Sequence, residues 1–128
     1  MATNLEFIKS ASGTSVSLLD ITNCFSDKYD VYKVILQVDS VTSEAGTNIR
    51  LIDSGGSVIS DSEYDLAYLN LASFGSFFQY KQTGQTSFPE LFFASTTVGG
   101  GVIAYIFNPN DSSSYTFLQA QHSGYYDG

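Results

Sequence analysis

Hydrophobic and polar positions alternate with a period of two along much of the chain. The clearest case is residues 31–39, VYKVILQVD, where Tyr32, Val34, Leu36 and Val38 fall on one face and Lys33, Ile35, Gln37 and Asp39 on the other. Successive side chains of a strand point to opposite faces, so this pattern predicts a strand buried on one side rather than a helix of 3.6-residue period. Residues 48–53 are expected to pair with it across the polar loop 42–47. The run Asp53-Ser54-Gly55-Gly56-Ser57 supplies the glycines of a tight reversal into a strand starting at Val58.

Residues 64–71 set Tyr64, Leu66, Tyr68 and Asn70 against Asp65, Ala67, Leu69 and Leu71. Leu66, Leu69 and Asn70 also fit helical spacing, but the aromatic content favours a strand. Residues 77–82 form the next strand, ending at a polar turn through Thr83-Gly84-Gln85. Residues 88–93 contain Pro89, which lacks an N–H and confines the segment to a strand end or an edge. Gly99-Gly100-Gly101 reads as a hinge or bulge before the apolar run 102–107, and Asn108-Pro109-Asn110-Asp111 is a strong turn signal. Residues 115–121 make the last strand, and residues 5–9 and 16–21 two more at the front. The expected architecture is all-β: one antiparallel, jelly-roll-like sandwich of eight or nine strands, formed by residues 1–128 as a single domain.

Composition agrees with that pattern. Ten Phe, nine Tyr and 29 Ser plus Thr suit a pleated surface buried on one face. Helix formers such as Ala, Glu, Lys, Arg and Met are sparse. The net charge of −8, with only five Lys and Arg, excludes a phosphate-tracking basic stripe, so no nucleic-acid partner is expected. No apolar run is long enough to span a membrane and no basic leader precedes one, which predicts a protein made and folded in a cytoplasm, with no membrane insertion. Cys24, the single cysteine, forms no internal disulfide and reads as a small buried hydrophobe.

Groups for catalysis are few. His122 is the one histidine and has no local nucleophile or orienting carboxylate, so it reads as a solvated strand-end residue. One His and one Cys cannot build a zinc site of usual composition. In Asp61-Ser62-Glu63-Tyr64-Asp65, alternate spacing sets three carboxylates on one side of an extended segment, where several oxygens could meet a cation such as calcium. The segment lacks the glycine and terminal glutamate of a calcium loop, and a solvated, edge-protecting acidic face is the expectation. Asp27-Lys28-Tyr29-Asp30 reads as a turn before the main strand. The glycine triplet is no phosphate loop, because no Lys-Ser or Lys-Thr follows it. Asn110-Asp111-Ser112 matches a glycosylation sequon, which means little without a secretory signal. No metal, cofactor or catalytic residue is assigned. A two-carboxylate glycan hydrolase, with Glu63 or Glu90 as the residues to test, has no positive sign in its favour.

The aromatic excess is more informative. Tyr29, Tyr64, Tyr68, Phe77, Phe78, Tyr80, Phe92, Phe93, Tyr125 and Tyr126 are more than a sandwich of this size comfortably buries. Tyrosine can cover its ring and wet its hydroxyl. It is equally the residue of protein interfaces and sugar platforms.

Several stretches taken together carry a resemblance: MATNLEFIKS at residues 1–10, CFSDKYDVY at 24–32, RLIDSGGS at 50–57, YDLAY at 64–68, Phe107-Asn108-Pro109, and SSYTF at 113–117. They resemble a family of small virion structural proteins of marine tailed phages, especially those infecting cyanobacteria. The resemblance implies a capsid-decorating or tail-fibre-like protein of the virion, assembled in the host cytoplasm. Such a protein has no enzymatic activity and no cofactor. Its implied partners are other virion proteins and further copies of itself. The alternative it implies is a receptor-binding tip whose tyrosines stack on a host-surface glycan. Similar chains continue past residues 123–124 with more glycine- and β-rich sequence, whereas this one stops at Gly128. Tyr125 and Tyr126, two adjacent large side chains near its end, are therefore expected at a contact between subunits.

Overall fold

The computed structural model describes residues 5–43, 45–71, 75 and 77–125, with Ala45 and Phe78 described by backbone alone. Its regular structure is entirely antiparallel β, with no helix among these residues. Seven strands run in the order β1 (Val31–Val38), β2 (Ala45–Gly46), β3 (Tyr64–Asn70), β4 (Phe78–Gln85), β5 (Phe93–Ala94), β6 (Gly100–Phe107) and β7 (Phe117–Ser123). They form a three-stranded sheet, β1-β6-β7, and two two-stranded ribbons, β2-β5 and β3-β4.

The three-stranded sheet follows from the period-two pattern. Tyr32, Val34 and Leu36 of β1 stand opposite Ile106, Ala104 and Val102 of β6. The same β6 residues stand opposite Leu118, Ala120 and His122 of β7. All but His122 are buried or half-buried, and this inner face meets Leu91 and Phe92. Phe92 is fully buried, and no other large side chain among the described residues is. The segment that carries it is held by residues 41–49: Thr47 N–H donates to the Phe92 carbonyl (2.9 Å), Leu91 N–H to Thr47 (2.9 Å), and Ile49 and Phe88 exchange both bonds.

The remaining elements are pinned by two buried tyrosines. The Tyr64 hydroxyl donates to the Ile59 carbonyl (2.9 Å) and accepts from Leu51 N–H (3.0 Å), while its ring meets Phe88 edge-on at 4.9 Å. The Tyr32 hydroxyl donates to the Ser26 carbonyl (3.0 Å) and accepts from Ser26 N–H (2.9 Å), with Phe25 edge-on at 4.9 Å. Each ring fills apolar space while its hydroxyl closes an otherwise irregular stretch of backbone.

Several expectations hold. Residues 64–70 are strand, not helix. The 53–57 reversal forms, with the Asp53 carboxylate accepting from Ser57 N–H (2.8 Å) and Gly56 at φ +85°. Others are corrected. Seven strands are present among the described residues, and residues 5–9 and 16–21 are not among them. The partner of β1 is β6, far along the chain, and residues 48–53 contribute only isolated bridges, Ile49 to Phe88 and Ile52 to Val58. Thr83-Gly84-Gln85 continues β4, because a bulge opposite Tyr64 and Leu66 accommodates Gly84 at φ +64°. The last strand begins at Phe117 rather than Tyr115 and runs to Ser123.

The glycine triplet is neither hinge nor bulge. Gly100 and Gly101 pair in unbroken register with Val38 and Gln37. A Cβ on Gly100 would lie 2.5 Å from the Phe93 carbonyl and 2.8 Å from the Phe92 ring. Three backbones converge there, and only hydrogen fits.

Because one aromatic ring fills so much of a small core, Phe92→Ala is expected to cost about 3–5 kcal/mol. That is a large part of the 5–15 kcal/mol typical of a domain. Gly100→Ala should cost about 1–3 kcal/mol by overpacking, and Tyr64→Phe about 1–3 kcal/mol by stranding the Leu51 N–H. Urea unfolding followed by circular dichroism measures all three; wild-type midpoints would contradict this account of the core.

Candidate interaction surface

The outward face of the three-stranded sheet is unusually apolar. Its cross-strand rows are Val31–Phe107–Phe117, Lys33–Tyr105–Gln119, Ile35–Ile103–Gln121 and Gln37–Gly101–Ser123. Ile35 is 68% exposed and Phe117 59%, with Val31, Ile103 and Tyr105 also exposed. Lys33 is the single charge on these rows, and no carboxylate lies among them. At the end of the same face the Asp39 carboxylate accepts from the Gln37 amide (3.3 Å).

A second apolar surface precedes it. Residues 5–23 are exposed throughout, with Leu5 at 82%, Phe7 at 78% and Leu18 at 71%. Among the described residues, none from 5 to 25 makes a main-chain to main-chain hydrogen bond. Side chains alone fold the segment back on itself. Lys28 Nζ donates to the Glu6 carboxylate (2.6 Å), the Tyr29 hydroxyl donates to the same oxygen, and Lys9 Nζ donates to the Thr22 carbonyl (2.7 Å). Those two hydrogen bonds hold the Glu6 carboxyl below its ordinary pKa, Lys28 first, and Glu6 holds Lys28 above its own. Both groups are in solvent, so the tether is weak. Cys24, expected as a buried hydrophobe, is only half-buried beside this segment, its thiol 3.6 Å from the Ile21 carbonyl.

The accessible surface of the chain is 9706 Å². A compact monomer of 13.9 kDa exposes about 6,700 Å². The excess, about 3,000 Å², goes with the exposure of residues 5–23 throughout.

The chemistry-bearing residues do not converge. Asp61, Glu63 and Asp65 are exposed, but not as one array. Glu63 N–H turns back onto the Asp61 carbonyl (2.8 Å), and the Asp65 carboxylate accepts from Gly84 N–H (2.8 Å). Among the described residues no three His, Cys, Asp or Glu side chains are placed to hold a metal ion. Glu90 sits at φ +51°, its stem over Gly46 and its N–H bonded to Asn48. His122 is exposed at the end of β7, and what cover it has disfavours the imidazolium and lowers its pKa. It lines an open cleft of about 720 Å³ over the sheet end, with Gly99, Gly100, Gly101 and Asp39. A smaller cleft, about 310 Å³, gathers Asp27, Asp30, Asn108 and Asp111. Asp111 there accepts from the Ser113 hydroxyl (2.7 Å) and N–H (2.8 Å), which lower its pKa.

The aromatic side chains divide. Tyr64 and Phe92 are core, while Tyr29, Tyr68 and Phe93 are half-buried. Phe77, Tyr80 and Tyr125 are exposed, whereas Tyr126 and the Phe78 side chain lie outside what is described. Sequence reasoning missed Phe7, Tyr105 and Phe117 as surface aromatics. For Tyr105 and Phe117 the signal was present, since each is out of phase with the buried positions of its strand. No protein-family model, curated protein or solved structure matches this chain.

Two outcomes follow. Millimolar calcium should leave the melting temperature unchanged, since bound cation would raise it by mass action. A shift abolished by Asp65→Ala would contradict the geometry. The lowered folded pKa of His122 means that the unfolded chain binds its proton first as pH falls. Its contribution is present above the ordinary value near 6.5 and lost as pH falls through the lower folded value. Melting temperatures at pH 7 and pH 5 should therefore differ less in His122→Gln than in wild type; an undiminished difference assigns the pH dependence elsewhere.

Proposed function

We propose that this chain is a non-enzymatic structural component of a phage particle, decorating the capsid or forming part of an appendage, and acting through protein–protein contacts. The observation that carries the reading is the set of large apolar side chains left in solvent, among them Leu5, Phe7 and Leu18 of the leading segment, Ile35 and Phe117 of the sheet face, and Leu69, Leu71 and Phe77 around β3-β4. The likeness to virion structural proteins of marine tailed phages supplies the setting, with other virion proteins and further copies as partners and the host cytoplasm as the place of assembly.

In this reading the eight- or nine-stranded, jelly-roll-like sandwich is completed only on assembly, when neighbouring subunits cover the open edges of β1 and β7. Tyr125 and Tyr126 are placed at such a contact. A receptor- or glycan-binding role is the alternative, favoured by Tyr68 and Tyr80, whose rings lie 5.2 Å apart at 36°. Burial, then Glu90, then Tyr80 raise the Tyr68 pKa.

Cryo-electron microscopy of intact particles, with the chain located by a fused tag, is the test. Density on capsid or tail is expected, and loss of residues 124–128 should abolish incorporation. Particles without the chain would end the structural reading. Hits on a glycan array, lost in Tyr80→Ala, would establish the alternative.

A further inference from the structure

We infer that β7 is the strand through which two copies of this chain join, antiparallel across a two-fold axis, so that their three-stranded sheets become one. The inference deepens the assembly reading above and rests on it for its setting. A strand at the edge of a sheet leaves main-chain N–H and carbonyl groups unpaired, and proteins guard such edges with a charge, a bulge or short length. β1 is guarded by Lys33, β3 by Asp65 and β4 by Lys81, with the bulge between β3 and β4 as a second device. β2 and β5 have only two residues each. β7, FLQAQHS over Phe117–Ser123, has none of these guards. It holds no Asp, Glu, Lys, Arg or Pro and pairs with β6 in unbroken register. Among the described residues β6 is its sole strand partner, and the open edge ends at Gly124, where the chain turns in against the Phe93 carbonyl. Its histidine adds little charge at neutral pH, because partial cover lowers the His122 pKa.

The charge pattern identifies the occupant of this edge as a second copy. At full overlap the antiparallel pairs are Phe117 with Ser123, Leu118 with His122, Gln119 with Gln121, and Ala120 with its own counterpart. Positions of like parity meet, so the half-buried Leu118 and Ala120 stay on the inner face and Gln119 and Gln121 on the outer one. The glutamine amides can donate to one another, and no like charges stand opposite. That matters because each copy carries a net charge of −8. β6, the next strand in, is also without Asp, Glu, Lys or Arg. The first charge reached across the sheet is therefore Lys33 on β1, about 10 Å from β7 at two strand spacings. A strongly charged partner of either sign finds nothing there to pair with. An identical uncharged strand finds main-chain donors and acceptors along its length, and the two-fold pairing closes on itself.

Sedimentation equilibrium at neutral pH tests this. The purified chain should rise from the mass of one chain to that of two between micromolar and millimolar concentration. Gln119→Lys with Gln121→Lys sets lysines opposite lysines at two exposed positions outside the core. That variant should stay at one chain with its β-type circular dichroism retained. Gln119→Glu with Gln121→Glu should do the same, and mixing the two variants should restore the two-chain mass. Gln37→Lys, on the opposite edge strand, should dimerise as wild type does. A wild type that stays at one chain, a dimer that the double lysine variant leaves intact, or a mixture that fails to restore it overturns the inference. So does a solution monomer whose incorporation into particles the double lysine variant abolishes, since a strand of another virion protein then occupies the edge. A solution monomer that the variant leaves on particles sinks the inference alone. A β7-paired dimer absent from particles sinks the phage reading alone.

Discussion

The fold depends on the burial of the Phe92 ring against β6. The inner face of the three-stranded sheet, with Val102 and Ala104 at its centre, has to be covered by something apolar. Phe92 and Leu91 come from a short irregular stretch that would not hold its shape alone. That stretch is fastened by main-chain bonds to residues 41–49, and the backbones of β1, β5 and β6 can approach because Gly99, Gly100 and Gly101 carry no side chains. A side chain at Gly100 would push the ring off the sheet, and without the ring the face would be open to water.

Around that contact the molecule spends little apolar surface on itself. Tyr32 and Tyr64 fasten the neighbouring irregular segments through hydroxyl-to-main-chain bonds, which order backbone without requiring a large core. The consequence is a chain with many large apolar side chains in solvent, on the leading segment, on the outward sheet face and around the β3-β4 ribbon, where Leu69, Leu71 and Phe77 are exposed. The same frugality links fold to function. A small core leaves many large apolar side chains outside, and it is these that the proposed role in an assembly would use.

Electrostatics supports this division of labour. The acidic groups are solvated, with Asp65 committed to the β3-β4 bulge and Asp111, in the cleft it shares with Asp27 and Asp30, to the turn that precedes β7. On the outward sheet face Asp39 accepts from the Gln37 amide. Net negative charge keeps the chain dispersed.

Much was legible in the sequence alone, wherever a local rule governs. The alternation in residues 31–38 and 64–70 determined strands and their buried sides, because side-chain direction in a strand depends only on parity. The 53–57 reversal was legible because a positive φ at Gly56 is a local demand. Tertiary structure decided the rest. Pairing of β1 with β6 joins residues about seventy positions apart, and no local pattern distinguishes that partner from residues 48–53. The glycine triplet resembled a hinge because glycine marks both freedom and crowding, and only the converging backbones tell which. Residues 5–9 and 16–21 have the alternation of strands yet pair with nothing among the described residues, since alternation specifies which side is apolar and not whether an edge is there to receive it.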